Sequence, residues 1–469
     1  MYAGRVITRR DFVRGAAATG PYVLRAQPRP LNLLFLMSDQ HQREASGCYG
    51  STEVKTPHID EIAANAVRFG RAYCQAPVCV PSRGSMITGV YPHAHGARIL
   101  ADALPEEART IAHYFRERGY ATGAIGKMHF VDESRRHGFD HRLYEADFQR
   151  TLTNEERQQL RRDQGGADGV EGRASSLPAR FFQDNYYAEE TVKFLRENRN
   201  RPFCVWSSFF MPHTPLVPMR QFFELYDPAK LRLPSRSPDA LASGFEGHLI
   251  RAKERGWYGQ TDAALGRSLA GYYGNISQMD ACVGRVYDAL RELGLHKNTV
   301  VVYTSDHGEM AGAHRMWTKH NMYEQSVAVP LLISMPERIE SRAARRELVE
   351  QVDLFPTVAE LCGHSRPEGL HGRSFAGLVR NRPYTPREFA YSEYYFCHKV
   401  FTRDDRYVGK PPILMVRTDR WKLNYLSWDS SELFDLEKDP GEFRNAIDDT
   451  GNAGIVKELT AIARRMFAA

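Results

Sequence analysis

The amino-acid sequence predicts an α/β layered fold. Four short runs are apolar enough to be strands buried on both faces of a sheet. Amphipathic helical patterns lie between them. Each run releases its polar residues at its C-terminal end. Alternating helices and buried strands make a layered α/β sheet, and in such sheets sites gather beyond the C-terminal ends of the strands.

The first run, LNLLFLMSDQ, begins at Leu31 and turns polar at Ser38, Asp39 and Gln40. A helix is expected from Pro57 along TPHIDEIAANAVRFGRAY, with Ile59, Ile62, Ala63, Ala66, Val67 and Phe69 on its inner face. CVPSRGSMITG, from Cys79 to Gly89, reads as another helix. Pro81 and Ser82 suit a first turn and Gly89 suits the stop. Cys79 is then expected just before a helix N-terminus, where backbone amides attract an anion, and Arg83 adds a full charge one turn in. TIAHYFRERG, Thr110 to Gly119, is a short amphipathic helix with a glycine stop. It leads into the second run, YATGAIGKMHF, which reaches Lys127 and His129. The third, PFCVWSSFFMPHTP, reaches His213. The helical MDACVGRVYDALRELG precedes the fourth, NTVVVYTSDHGE, which reaches Asp306 and His307.

Between these elements two stretches read as insertions or lids: the polar segment from Glu145 to Leu177, which lacks an apolar period, and the segment from Ala240 to Gly266. Late in the chain, YSEYYFCHK offers aromatics that suit either a pocket or a core.

Hydrophobic residues make up 42% and charged residues 26%, the balance of a soluble globular protein. No run approaches the roughly 20 apolar residues of a membrane span. The net charge is +6, of which the first 26 residues, with five arginines and one aspartate, carry +4. The remaining +2, with no arginine-rich run and no zinc-finger spacing, argues against a nucleic-acid partner. Thr8-Arg9-Arg10-Asp11-Phe12-Val13-Arg14 resembles a twin-arginine export motif, so residues 1–26 are expected to direct the chain to the periplasm or outside the cell. Seven cysteines are too few and too scattered for a disulfide scaffold.

Asp39, Asp306 and His307 would make a compact site for a hard divalent cation, although any one strand-end aspartate also suits a helix cap. Arg83, Lys127 and Lys319 are cations able to hold an anion, and His129 and His213 complete the set around Cys79. Together they describe a site that cleaves an anionic ester.

These residues carry a resemblance. Cys79-Val80-Pro81-Ser82-Arg83 matches the C-x-P-S-R signature of type I sulfatases, and further matches follow in family order. They are Thr56-Pro57-His58-Ile59-Asp60, Thr88-Gly89, Gly126-Lys127-Met128-His129, Pro212-His213, Ser305-Asp306-His307-Gly308-Glu309 and Lys319-His320. Arg417 to Lys422, Glu432 to Leu436 and Asp439-Pro440 resemble the family's C-terminal part.

The resemblance implies an alkaline-phosphatase-like fold: a large central mixed sheet between helices, then a small C-terminal α+β subdomain with an antiparallel sheet. It implies a catalytic domain over 27–375 and the subdomain over 376–469. It implies that a formylglycine-generating enzyme converts Cys79 to Cα-formylglycine, the nucleophile and a metal ligand. Asp39, Gln40, Asp306 and His307 are the other implied ligands. Arg83, Lys127 and Lys319 are implied to neutralise sulfate, His213 to protonate the leaving alcohol, and His129 to assist the nucleophile.

Two positions depart from the commonest family pattern: Gln40 where an aspartate is usual, and His307 where an asparagine is usual. They keep calcium as the first choice of ion and make manganese a competitor. The same variants occur in choline-sulfatase-like enzymes and phosphonate monoester hydrolases. The expected activity is therefore hydrolysis of a sulfate monoester of a sugar, aryl or alkyl alcohol. Phosphonate monoester or phosphodiester hydrolysis is the alternative, and non-catalytic binding of a sulfated glycan a third.

Overall fold

The computed structural model describes residues 30–165, 169–237, 241, 244–336, 344–397 and 401–468. The expected export segment lies outside them, as do parts of the stretches 145–177 and 240–266 and the end of the aromatic run near Cys397.

The strands, in chain order, are β1 (Asn32–Asp39), β2 (Ala66–Phe69), β3 (Ala72–Tyr73), β4 (Ala121–Gly126), β5 (His141–Leu143), β6 (Phe203–Pro212), β7 (Thr299–Ser305), β8 (Ala328–Val329), β9 (Leu331–Ser334), β10 (Ala344–Arg345), β11 (Val349–Glu350), β12 (Ala390–Tyr394), β13 (Ile413–Arg417), β14 (Trp421–Tyr425) and β15 (Glu432–Asp435). Among the described residues they form a mixed sheet in the order β10-β2-β9-β7-β1-β6-β4-β5, a small sheet β11-β3-β8, and an antiparallel sheet β12-β13-β14-β15. The large mixed sheet and the separate small antiparallel sheet are the architecture the resemblance implies.

The four apolar runs are β1, β4, β6 and β7. They lie side by side and parallel at the centre of the large sheet, in the order β7-β1-β6-β4. Each is buried on both faces. Leu33, Phe35 and Met37 of β1 join one apolar cluster, and Leu34 and Leu36 join the other. Phe35 and its register partner Trp206 stack with ring centroids 4.0 Å apart. Because the strands are parallel, their C-terminal ends share one edge, and Asp39, Lys127, His213 and Asp306 emerge together.

One expected helix is shorter than the sequence suggests. It runs from Pro57 to Ala64 and stops at Asn65, so Ile59 and Ile62 are its buried residues. Ala66, Val67 and Phe69 belong instead to β2, which pairs antiparallel with β9. Val67 and Phe69 alternate with the half-buried Arg68, a period of two. Over so few residues an apolar stripe fits either period, and the open edge of β9 decides for the strand. Cys79 is the first residue of the helix Cys79–Thr88, one place further in than expected, because the extended Val78 is the N-cap.

The polar stretch 145–177 is largely helical, with helices Glu145–Arg150 and Asn154–Gln164. The second buries none of its residues. Its start is fixed by a capping box between Thr153 and Glu156 rather than by an apolar face. The stretch 240–266 contributes the helix Glu246–Glu254 and the first turns of the helix Asp262–Glu292, whose C-terminal half is the expected helix before β7. Tyr391 and Tyr394 of the aromatic run lie in β12 and are core residues. The helix Ala453–Phe467 packs on β13 and β14, burying Leu459 and Ala463. Among the described residues no helix is long and apolar enough to cross a membrane.

β4 ends at Gly126 with φ +97°. A Cβ here would lie 1.9 Å from the Ser208 carbonyl oxygen. The same oxygen accepts the Lys127 amide at 2.9 Å, so the bare backbone is what turns Lys127 over the sheet edge. Gly126→Ala is expected to lower unfolding stability by roughly 3 kcal/mol, measured by urea denaturation; a loss below about 1 kcal/mol would show that the edge relaxes around the methyl group.

Candidate active site

The helix Cys79–Thr88 runs beneath the shared edge of β1 and β7. All ten of its residues are buried, and Gly89, with φ +73°, closes it. Its first turn meets the residues that end the two strands. The ligating atoms of Asp39, Cys79, Asp306 and His307 all lie within 4.8 Å of one another. Cys79 Sγ is 3.2 Å from His307 Nε2 and 3.8 Å from Asp39 Oδ1. His307 Nδ1 donates to the Gly308 carbonyl at 3.0 Å, which turns Nε2 toward the cluster. Two carboxylates, one imidazole and the side chain at 79 suit a divalent cation of hard to borderline character.

Arg83 binds this cluster from below. Nε reaches Asp306 Oδ2 and Nη2 reaches Asp39 Oδ2, both at 2.8 Å. Nη1 donates to Ser208 Oγ at 2.9 Å and to the Lys127 carbonyl. The sequence groups Arg83 with the anion-holding cations. The structure places it one layer beneath the pocket, 1% exposed, with its guanidinium nitrogens engaged by protein oxygens.

Above the cluster a cavity of about 430 Å³ opens. Lys127, His129, His213 and Lys319 stand on its wall. Lys127 Nζ is 2.7 Å from Asp39 Oδ2. His213 Nδ1 donates to the Thr214 carbonyl at 2.8 Å and leaves Nε2 for the pocket. His129 has φ +57°, and its Nδ1 is buried with no partner among the described residues.

Gln40, predicted as a ligand, is held between two other groups. Its side-chain oxygen accepts from Lys319 Nζ and its nitrogen donates to Glu309. Glu309 also accepts the amides of Ala311, at 2.9 Å, and of Thr318. An amide can accept from a cation and donate to a carboxylate at once. A carboxylate at position 40 would face Glu309 with like charge. The departure from Asp-Asp therefore matches a buried acid on the far side. Glu309 lay in the quoted Ser305-to-Glu309 motif, but nothing local showed its partner.

The charges act on one another. Burial opposes ionisation of Asp39, yet Lys127, His213, Arg83 and Lys319 hold its carboxyl well below the usual range. Burial and Asp39 push the Cys79 thiol up, but Lys319, Lys127 and His307 outweigh them and hold it well below an ordinary thiol. Burial, with Lys319 and Lys127, keeps His213 well below an ordinary imidazole. Sequence reasoning missed the rest of the wall. Tyr144 and Glu145 come from the edge of the first insertion, and Arg251 and Trp257 from the second.

Residues 31–364 match the family model described as Sulfatase. The chain belongs to the sulfatase family. By that membership it is a hydrolase of sulfuric esters. Residues 312–467 match a second family model, N-sulphoglucosamine sulphohydrolase, C-terminal. This sulfatase-family chain is 28% identical over 452 residues to an arylsulfatase of Clostridium perfringens, covering 89% of the chain and 90% of that protein. It is 29% identical over 459 residues to a choline-sulfatase of Rhizobium meliloti, covering 92% and 85%. Its fold matches the crystal structure of a phosphonate monoester hydrolase of Agrobacterium radiobacter with a TM-score of 0.82 at 23% identity, covering 93% and 96%.

Removing one partner of a buried ion pair costs more than the pair contributes, because the other charge is stranded. Arg83→Met is therefore expected to destabilise the metal-free protein by about 3–5 kcal/mol, read by urea denaturation after chelation. A change under about 1 kcal/mol would mean that Asp39 and Asp306 do not depend on Arg83 for compensation.

Proposed function

We propose that the chain hydrolyses sulfate monoesters at Cys79, with residues 27–375 carrying the chemistry and residues 376–469 forming the C-terminal subdomain. The observation that carries this reading is the convergence of Asp39, Asp306 and His307 on Cys79 directly beneath Lys127, His129, His213 and Lys319. We take Cys79 to be oxidised by a formylglycine-generating enzyme, and the hydrated aldehyde supplies one hydroxyl to attack sulfur and a second whose deprotonation releases sulfate. Asp39, Asp306 and His307, with position 79, would hold one divalent cation, calcium before manganese, which would lower the pKa of that hydroxyl and polarise the sulfate oxygens.

The chain's own residues do the remainder. Lys127 and Lys319, both on the pocket wall, neutralise the sulfate oxygens. Arg83 acts through Asp39 and Asp306, fixing the carboxylates rather than touching substrate. Gln40 tethers Lys319. His213 Nε2 protonates the leaving alcohol, and an anionic ester in the pocket offsets the lysines that depress its proton affinity. His129, also on the pocket wall, assists the nucleophile. The substrate is a sulfated small molecule or glycan, met in the periplasm or outside the cell.

A second reading, phosphonate monoester hydrolysis, rests on the resemblance: Gln40 and His307 are variants that occur in phosphonate monoester hydrolases as well as in choline-sulfatase-like enzymes. The two readings separate on purified protein whose Cys79 has been checked by mass spectrometry of the peptide AYCQAPVCVPSR. Position 79 is expected as an aldehyde, with Cys74 still alkylating. kcat/KM for 4-nitrophenyl sulfate is expected to exceed that for 4-nitrophenyl phenylphosphonate by at least about 10-fold. The reverse order selects the second reading, and full alkylation at 79 in active protein removes the formylglycine mechanism from both. Asp306→Ala is expected to lose bound divalent metal in elemental analysis, and normal metal content would take it off the ligand set.

A further inference from the structure

β6 does not end as its neighbours do. Its pairing with β1 runs in step from Leu33 and Cys204 to Met37 and Ser208, then jumps to Asp39 and Pro212. β4 stops pairing with it at Ser208. Extra residues on one strand make a bulge, which bends the chain and takes amides out of the ladder. Here the amides of Phe210 and Met211 turn to Asp184, in the first turn of the helix Gln183–Glu197. Oδ1 accepts Phe210 N at 2.7 Å and Oδ2 accepts Met211 N at 2.9 Å. Asp184 is 1% exposed.

Beyond the bulge the segment carrying His213 is held from a second helix, Asp262–Glu292. Asn275, 0% exposed, points Nδ2 at the carbonyls of Pro215 at 3.0 Å, His213 at 3.4 Å and Pro212 at 3.5 Å. Its Oδ1 has no partner among the described residues. The orientation is fixed nonetheless, because a flip would set Oδ1 against three carbonyl oxygens. The His213 amide donates back to Phe210 O at 3.2 Å, closing a turn between the two holds. Asp184 thus satisfies the donors just before His213, and Asn275 the acceptors of Pro212, His213 and Pro215 around it.

We infer that Asp184 and Asn275 are positioning residues for His213, clamping its backbone so that Nε2 faces the oxygen of the leaving group. The inference rests on the acid role of His213 proposed above. Proton transfer needs heavy atoms within roughly 2.6–3.2 Å, so a loosened segment should harm only reactions that need the proton.

The test uses the Cys79-modified enzyme and two probes. Phenyl sulfate has a leaving group that needs a proton, and 4-nitrophenyl sulfate one that scarcely does. Asn275→Ala, Asn275→Asp and Asp184→Asn are expected to lose about 10- to 100-fold in kcat on phenyl sulfate and less than about 3-fold on 4-nitrophenyl sulfate, with KM little changed. His213→Ala is expected to show the same split. Adding Asn275→Ala to His213→Ala should lose no more than about 2-fold further, since the clamp would have nothing left to position. Equal losses on both probes, no loss on either, or multiplicative losses in the double variant would overturn the clamp while His213→Ala keeps its split. If His213→Ala shows no split, the acid role itself fails and the inference falls with it. Should Asp184→Asn not fold, Asn275→Ala carries the test alone, as it removes only the three contacts at 3.0 to 3.5 Å.

Discussion

One guanidinium joins the four central strands. Arg83 reaches Asp39 at the end of β1, Asp306 just beyond β7, Ser208 on β6 and the carbonyl of Lys127 beyond β4. It does so from a helix that is buried along its whole length. A planar, permanently charged group with donors in a fixed fork suits this better than a lysine, which offers one point charge on a flexible stem. Four segments that approach from different parts of the chain are thereby held in one geometry, and that geometry is the floor of the site.

A buried charge is tolerated only when it is compensated, and the rest of the floor follows from that. Arg83 brings Asp39 and Asp306 together, and two carboxylates so close call for more positive charge. Lys127 answers on Asp39, and a divalent cation among Asp39, Cys79, Asp306 and His307 would answer on the remaining oxygens. Lys319 is balanced at a distance: Gln40 passes its contact on to Glu309, and Glu309 in turn fixes the amides of Ala311 and Thr318. The loop carrying Lys319 is thus tied to the end of β1 through a neutral amide. The two pocket lysines meet different partners, Asp39 for Lys127 and Gln40 for Lys319.

The wall above is built on looser principles. Its chemistry-bearing side chains leave the sheet edge on short turns, with Gly126 allowing the close approach that aims Lys127 and the β6 bulge turning the chain toward His213. The outer wall comes from the two insertions. The second helix of the first insertion is fixed by its capping box, and the second insertion by burying Leu241, Phe245, Ala252 and Trp257 in the apolar clusters. The second insertion is also tied to the loop carrying Lys319, where Arg251 donates to the Lys319 carbonyl at 2.6 Å and to Thr318 Oγ1 at 2.8 Å.

The sequence by itself determined the central sheet and the residues that meet at its edge. Continuous apolar runs can be satisfied only by burial on both faces, and parallel strands must deliver their ends to one side, so Asp39, Lys127, His213 and Asp306 were legible as neighbours. The motif around Cys79 placed a helix start among them. The tertiary structure alone decided what those residues touch. Residues 66–69 became a strand because β9 offered an open edge, a fact no local period contains. Residues 154–164 became a helix without an apolar stripe, because caps and surface charge sufficed. Arg83 turned inward rather than onto the cavity wall, since the carboxylates needing it are fixed by strands more than 200 residues apart in the chain. Gln40 with Glu309, and Asp184 and Asn275 with the His213 segment, were invisible for the same reason. Local pattern records whether a side chain is buried, and only the folded chain supplies the partner that makes its burial tolerable.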